Sequence, residues 1–105
     1  MKNPHAASTA EQLMRSRYTA YTLRCESYLL KSWHASTRPQ QLELDKDPVK
    51  WIGLKVIKTD GGMAGDTEGI VEFVARYKVN GKAHRLQEIS RFVYEQGQWF
   101  YVEAT

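Results

Sequence analysis

The sequence predicts an α+β domain in which two or three N-terminal helices pack on a four-stranded antiparallel meander. Three observations predict it. A capping box, Thr9-Ala10-Glu11-Gln12, opens a stretch whose apolar residues recur at helical spacing. From Trp51 the period changes to two, in segments rich in β-branched and aromatic residues. Asn80-Gly81 and, more weakly, Gln96-Gly97 then supply hairpin turns, since both central residues of a type I′ turn need positive φ.

The elements follow in order. Met1 to Ser8 carries no apolar signal core and reads as a disordered lead-in, leaving residues 9–105 as one domain. The first helix runs from Ala10 to Arg24, with Thr9 as N-cap and Gln12 reaching back from N3. Its apolar arc holds Ala10, Leu13, Met14, Tyr21 and Cys25. A second helix, Glu26 to Trp33, buries Tyr28, Leu29 or Leu30, and Trp33. It gives way to His34-Ala35-Ser36-Thr37-Arg38-Pro39, where the proline keeps Arg38 out of helical geometry. Gln40 to Leu44 is read as one more helical turn begun by Pro39, and Asp45 to Pro48 as a loop. Four strands follow: Trp51–Lys58, Gly69–Val79, Lys82–Glu95 and Gln98–Glu103. The glycine-rich segment Asp60–Asp66 forms a flexible loop between the first two.

Composition bounds the function. The chain is 42% hydrophobic and 26% charged over 105 residues, an ordinary globular balance with room for one core. No apolar run approaches the ~18 residues of a membrane span. Cys25 is the single cysteine, which excludes an internal disulfide framework and a multi-cysteine zinc site; a cytoplasmic location is expected. The net charge of +3, from 15 basic and 12 acidic residues, is mild and argues against nucleic acid as a partner.

Arg17 is the anomaly. At about 100° per residue it falls near the centre of the first helix's apolar arc. A guanidinium keeps its charge, so it must be paired, wet, or reaching past the core. Hairpin arithmetic supplies a partner. With Val79 opposite Lys82, Phe73 lies opposite Glu88, Ala75 opposite Leu86 and Val71 opposite Ser90. With Glu95 opposite Gln98, Phe92 lies opposite Tyr101 and Tyr94 opposite Trp99. The face toward the helices is then apolar except for Glu88 and Ser90. Arg17 is therefore expected to meet Glu88, with Ser90 and Tyr101 or Tyr21 completing the network. Such a pair is either a structural ion pair or part of a ligand or catalytic site. A three-residue turn at Gln96-Gly97 would instead flip the last strand and bring Phe100 and Val102 inward.

The remaining candidates carry weaker chemistry. His34, with Ser36, Thr37 and Arg38 close behind, either rims a pocket and binds an anionic group or caps a helix end. The three histidines lack metal-ligand spacing, so no metal or cofactor is expected. Cys25 near a helix C-terminus is a poor nucleophile, and Ser90 has no histidine in register for a triad. Gly61 to Gly65 lacks the lysine and following helix of a phosphate loop. Arg76, Arg85 and Arg91 share the outer sheet face, a weak pointer to RNA phosphate. The same face carries Ile89, Val93, Phe100 and Val102, a candidate homodimer surface.

Several runs together resemble the middle domain of the bacterial YchJ-like family. They are Leu13 to Tyr21, Tyr28-Leu29-Leu30, Ser32 to Pro39, Trp51-Ile52-Gly53-Leu54, Val71 to Tyr77, Glu88 to Val93 and Gly97 to Val102. The resemblance covers residues 9 to 105 in order. It implies a nuclear-transport-factor-2-like (cystatin-like) cone, a curved antiparallel sheet wrapped round helices with a conical cavity. It implies no established activity, and the fold alone decides none. Longer members of the family carry cysteine-rich SEC-C segments, described as zinc-binding; with Cys25 alone, that chemistry is not expected here.

Two functional readings follow. One is a non-enzymatic binding or interaction module with a polar pocket between helices and sheet. The other is a small-molecule enzyme of isomerase, dehydratase or hydrolase type, with Glu88 as acid or base and Arg17 anchoring an anion. The pocket candidates are Arg17, Tyr21, Trp33, His34, Arg38, Glu88, Ser90 and Tyr101. An unidentified small ligand and a homodimer partner are the expected associations.

Overall fold

The structure is a computed structural model and describes residues 3–44 and 48–105. Helix α1 (Ala10–Thr22) starts where the capping box places it: the Gln12 N–H donates to Thr9 Oγ1 at 3.1 Å, and Gln12 Oε1 accepts from the Ser8 N–H at 2.7 Å. It stops two residues earlier than expected, because Leu23 caps it and Arg24 turns left-handed at φ 54°. That turn aims the Arg24 guanidinium at the carbonyls of Leu44 and, at 3.4 Å, Val49. Cys25 consequently caps helix α2 (Glu26–Lys31) rather than sitting on the arc of α1.

After Lys31 the chain leaves the helix early, and the reason is tertiary. Ser32 to His34 runs parallel to the last strand, accepting from the Tyr101 N–H at 2.8 Å and donating the His34 N–H to the Tyr101 carbonyl at 2.7 Å. These bonds cover a sheet edge that would otherwise stay open. The helical turn expected over Gln40–Leu44 does not form across Gln40–Glu43. The Leu42 N–H instead bonds the Glu26 carboxylate at 3.2 Å, and Leu44 is buried with Ala20, Tyr28 and Leu29. Asp45 to Asp47 of the expected loop lie outside the described residues.

The sheet is a meander in the order β1-β2-β3-β4: β1 (Lys50–Gly61), β2 (Glu68–Val79), β3 (Lys82–Glu95) and β4 (Gln98–Ala104). Its register is the one the turns dictate. Phe73 lies opposite Glu88, Ala75 opposite Leu86, Val71 opposite Ser90, Phe92 opposite Tyr101 and Tyr94 opposite Trp99. Asn80-Gly81 and Gln96-Gly97 both have positive φ at both positions (52° and 80°, 53° and 80°), so the last strand does not flip. A bulge between the Arg91 and Phe92 pairings inserts Val102 as an extra residue, and Val102 is buried. β1 runs three residues further than the sequence suggests, and two irregularities in its pairing leave Ile52 and Ile57 unpaired and exposed. Irregularities of this kind discourage another strand from adding to an open edge.

The core lies between α1 and the concave face of the sheet, centred on Leu13, Met14, Val71, Phe73, Phe92 and Trp99. The expected lead-in contributes to it. Pro4 to Ala6 form a 3-10 turn, Pro4 is buried, Ala7 packs on the core, and the Trp99 indole N–H donates to the Ser8 carbonyl at 3.3 Å. On the convex face the expected apolar patch is partly covered by the chain itself. The His34 ring packs edge-on against Phe100 with centroids 5.8 Å apart, and the Thr37 hydroxyl donates to the Val102 carbonyl at 2.6 Å. Ile89 stays exposed. Among the described residues no helix is long and apolar enough to cross a membrane.

One junction fixes α1 against the β1–β2 hairpin. The Ala10 N–H donates to the Gly62 carbonyl at 2.9 Å, and a Cβ on Gly69 would come within 2.5 Å of Gly62 Cα and 2.8 Å of Gly62 N. Backbone cannot swing aside as a side chain can. Gly69→Ala is therefore expected to lower stability by about 1–3 kcal/mol, the usual cost of overpacking, read as a fall in urea midpoint at unchanged m.

Candidate functional site

The short link Leu23–Cys25 folds the last turn of α2 against the middle of α1, which brings free acceptors to Arg17. A helix leaves its final carbonyls without partners and carries a partial negative charge there. Arg17 is 5% exposed, and its Nη1 donates to the Leu29 carbonyl at 2.9 Å and to Ser32 Oγ at 2.5 Å. Ser32 Oγ in turn donates to the Leu29 carbonyl at 2.9 Å, so the hydroxyl is both acceptor and donor. A side-chain hydrogen bond to Tyr21 adds a third partner. The guanidinium carbon stands 4.2 Å from the Tyr101 ring centroid and 4.8 Å from that of Trp33. Desolvated cation–π contacts of this kind contribute about 2 kcal/mol or more.

The expected Arg17–Glu88 salt bridge is not formed. Glu88 is half-buried on β3 across the cavity, while Arg17 is drawn toward α2 and β4. The pairing arithmetic places Glu88 on the correct face, but it does not include the helix end that lies nearer and offers acceptors at lower desolvation cost. All the partners of Arg17 are neutral. Burial pushes its pKa down to about 10, opposed by the neighbouring Tyr21, Tyr101 and Tyr28, so the group remains a cation at neutral pH. Burial also raises the Tyr101 phenol above its ordinary 10, with Arg17 pulling the other way and Glu88 adding to the rise. Tyr18 is raised by burial and held back by a hydrogen bond to the Gly53 backbone.

Between these walls lies a cavity of about 210 Å³. Its helical side presents Met14, Arg17, Tyr18 and Tyr21; its sheet side presents Phe73, Ala75, Leu86, Glu88, Ser90, Phe92 and Tyr101; Trp51 on β1 completes it. Trp51 sits in an aromatic group, its ring centroid 6.1 Å from those of Tyr18 and Tyr21 and 5.3 Å from that of Tyr77. Five of the eight sequence candidates therefore meet around one space: Arg17, Tyr21, Glu88, Ser90 and Tyr101. Trp33 stands outside it, behind Arg17 and edge-on to Tyr101 at 4.9 Å.

His34 and Arg38 are not pocket residues. Nδ1 of His34 accepts from the Ser36 N–H at 3.1 Å, with Ser36 Oγ 2.7 Å away, so Nε2 carries the proton and donates to Glu95 at 3.0 Å. Arg38 folds back, donating Nε and Nη2 to the Trp33 carbonyl at 2.9 and 2.7 Å. Both residues brace the turn after α2 instead of rimming a cavity. Among the described residues no cluster of histidine, cysteine, aspartate and glutamate could hold a metal ion. The sequence reading missed Ser32, Tyr18 and Trp51. Ser32 could have been found by asking which groups at the end of the second helix lack partners; Tyr18 and Trp51 depend on long-range packing.

The comparisons with known proteins agree with this fold. The family model described as YchJ, middle NTF2-like domain, matches residues 9–104. A UPF0225 protein from Chromobacterium violaceum is 59% identical over 100 residues, which cover 93% of this chain and 74% of that protein. A UPF0225 protein from Methylibium petroleiphilum is 50% identical over 98 residues, 93% of this chain and 71% of that one. The solution structure of a SEC-C motif containing protein from Rhodopseudomonas palustris superposes with a TM-score of 0.81 at 26% identity, over 99% of this chain and 80% of that one. A crystal structure of a SEC-C motif containing protein from Psychrobacter arcticus gives 0.75 at 26% identity, over 92% of this chain and 60% of that one.

Two outcomes follow from the site. Ser32→Ala removes an acceptor from a buried cation and is expected to cost about 1.5–3 kcal/mol, whereas Glu88→Gln should stay within about 0.5 kcal/mol. Urea unfolding of the two variants tests the assignment, which fails if Glu88→Gln costs more. In an alkaline absorbance titration, Tyr101→Phe should remove a tyrosinate signal that appears late, above pH 10, because burial delays its ionisation.

Proposed function

The chain belongs to the YchJ middle NTF2-like domain family, and from that premise we propose a non-enzymatic binding module whose cavity takes one small organic monoanion with an apolar or aromatic body. The observation that carries this reading is the state of Arg17. It is a buried cation beside a cavity, and its contacts are carbonyl, hydroxyl and ring faces rather than a carboxylate. A buried charge without a counter-ion is costly, and an anion in the adjoining space offsets that cost. The rest of the lining is largely apolar, from Met14, Phe73, Ala75, Leu86 and Phe92. At about 210 Å³ the space lies below the ~300–1,000 Å³ of drug-sized sites, which limits the ligand to a single ring or a short chain.

Binding is favoured over turnover by the same lining. Glu88 is its one carboxylate, no histidine lines it, and Arg17 does not pair with Glu88, so the matched acid and base of a proton-transfer site are not assembled there.

Thermal unfolding against a panel of small carboxylates, benzoate and short branched acids among them, tests the reading. Saturation at 100 times Kd adds about 2.7 kcal/mol, and each kcal/mol moves the Tm of a domain this size by roughly 4–8 °C. The shift should survive Glu88→Gln and vanish in Arg17→Met, which keeps much of the side-chain volume. If the wild type responds to no member of the panel, or Arg17→Met responds equally, the reading fails.

A further inference from the structure

The convex face of the sheet is divided by charge, and strand register shows where. Nearest the Asn80-Gly81 turn, Lys50 lies directly opposite Lys78, and two residues along, Arg76 lies directly opposite Arg85. Lys55, opposite Val74, continues the same end. Like charges placed opposite each other on one face are unfavourable unless an anion lies between them. All five side chains are exposed, and among the described residues none of them makes an ion pair within the protein. The acidic groups of this face begin one row further on, where Glu72 lies opposite Lys58, and continue toward the far end. Glu72 accepts from Gln87 at 2.8 Å, and at the far end Arg91 is held by Glu68 at 3.5 Å and Glu103 at 3.3 Å. The mild net charge of +3 thus conceals a segregated one. The sequence pointed to Arg76, Arg85 and Arg91; the structure removes Arg91 from the set and adds Lys50, Lys55 and Lys78.

We propose that this strip binds the phosphate backbone of nucleic acid without regard to sequence. Its three rows lie two residues apart along the strands, about 6.6 Å each, so the strip is about 13 Å long. At the ~3.4 Å axial spacing of charges along one strand of a duplex, that length meets about four phosphates. No aromatic side chain lies among the five cations, so bases have no stacking platform and the contacts go to phosphate. Regular rows of unpaired cations suit a linear polyanion better than an acidic protein, whose interface would ordinarily add an apolar centre. The strip lies on the opposite side of the sheet from the cavity and does not depend on what the cavity binds.

Fluorescence anisotropy of a labelled DNA duplex across a salt series tests the proposal. Four phosphate contacts predict a slope of log K against log salt of about −3.6 for duplex DNA. Arg76→Gln/Arg85→Gln should weaken binding at least tenfold and roughly halve that slope. Arg91→Gln, whose charge the protein already neutralises, should change neither. Circular dichroism melts confirm that both variants are folded. The proposal falls if the wild type binds no oligonucleotide at low salt, or if Arg91→Gln and the double variant lose binding equally. It also falls if the double variant instead abolishes self-association in sedimentation or binding to phosphatidylglycerol vesicles while oligonucleotide affinity is unchanged.

Discussion

A buried guanidinium that cannot discard its charge has to be surrounded by acceptors and ring faces, and in this protein that requirement joins three elements. Arg17 projects from α1, takes its acceptors from the last turn of α2, and lies against Tyr101 of β4 and Trp33 beyond α2. The chain between Ser32 and His34 is drawn to the same place by two backbone bonds to Tyr101. One cation therefore ties the helical pair to the sheet, at the point where backbone bonds cover the outer edge of β4. An aliphatic residue at position 17 could fill the space but would not specify that arrangement.

The same constraint explains why there is a cavity. With Arg17 turned toward α2 and β4, Glu88 remains across an open space on the sheet. A direct Arg17–Glu88 contact would have bridged the two walls. The concave face is thus polar at a few points and apolar elsewhere, while the convex face carries segregated charge. The two faces therefore differ in chemistry, which is why the two associations proposed above fall on opposite sides of the sheet.

Much of the fold was legible in the sequence because its signals are local. Thr9 and Gln12 mark the start of α1 by chemistry that needs no other part of the chain. Asn80-Gly81 and Gln96-Gly97 fix two hairpins, and a period of two then fixes the cross-strand neighbours as far as the bulge at Val102, so Glu88 and Ser90 could be placed on the inner face by counting along the β2–β3 hairpin. What was misread depended on distant partners. The ends of both helices moved because Arg24 reaches the carbonyls of Leu44 and Val49, and because Ser32 to His34 finds the edge of β4. The Gln40–Leu44 turn was lost to the Glu26 carboxylate and to burial of Leu44. Lys50 and Lys55 joined Arg76, Lys78 and Arg85 in one strip through the register of β1, whose two irregularities no turn announces.

The sequence by itself determined that a charge would be buried on α1, which face of the β2–β3 hairpin meets the helices, and how the last three strands pair up to the bulge at Val102. These follow from periodicity, capping and turn geometry, all of which act over a few residues. The tertiary structure decided which acceptors that charge takes and which cations on the outer surface stand together. Both outcomes depend on the relative positions of elements remote in sequence. Desolvation favours the nearest unsatisfied acceptors, and at Arg17 those belong to Leu29 and Ser32 rather than to the only acid on the inner face of the sheet's last three strands.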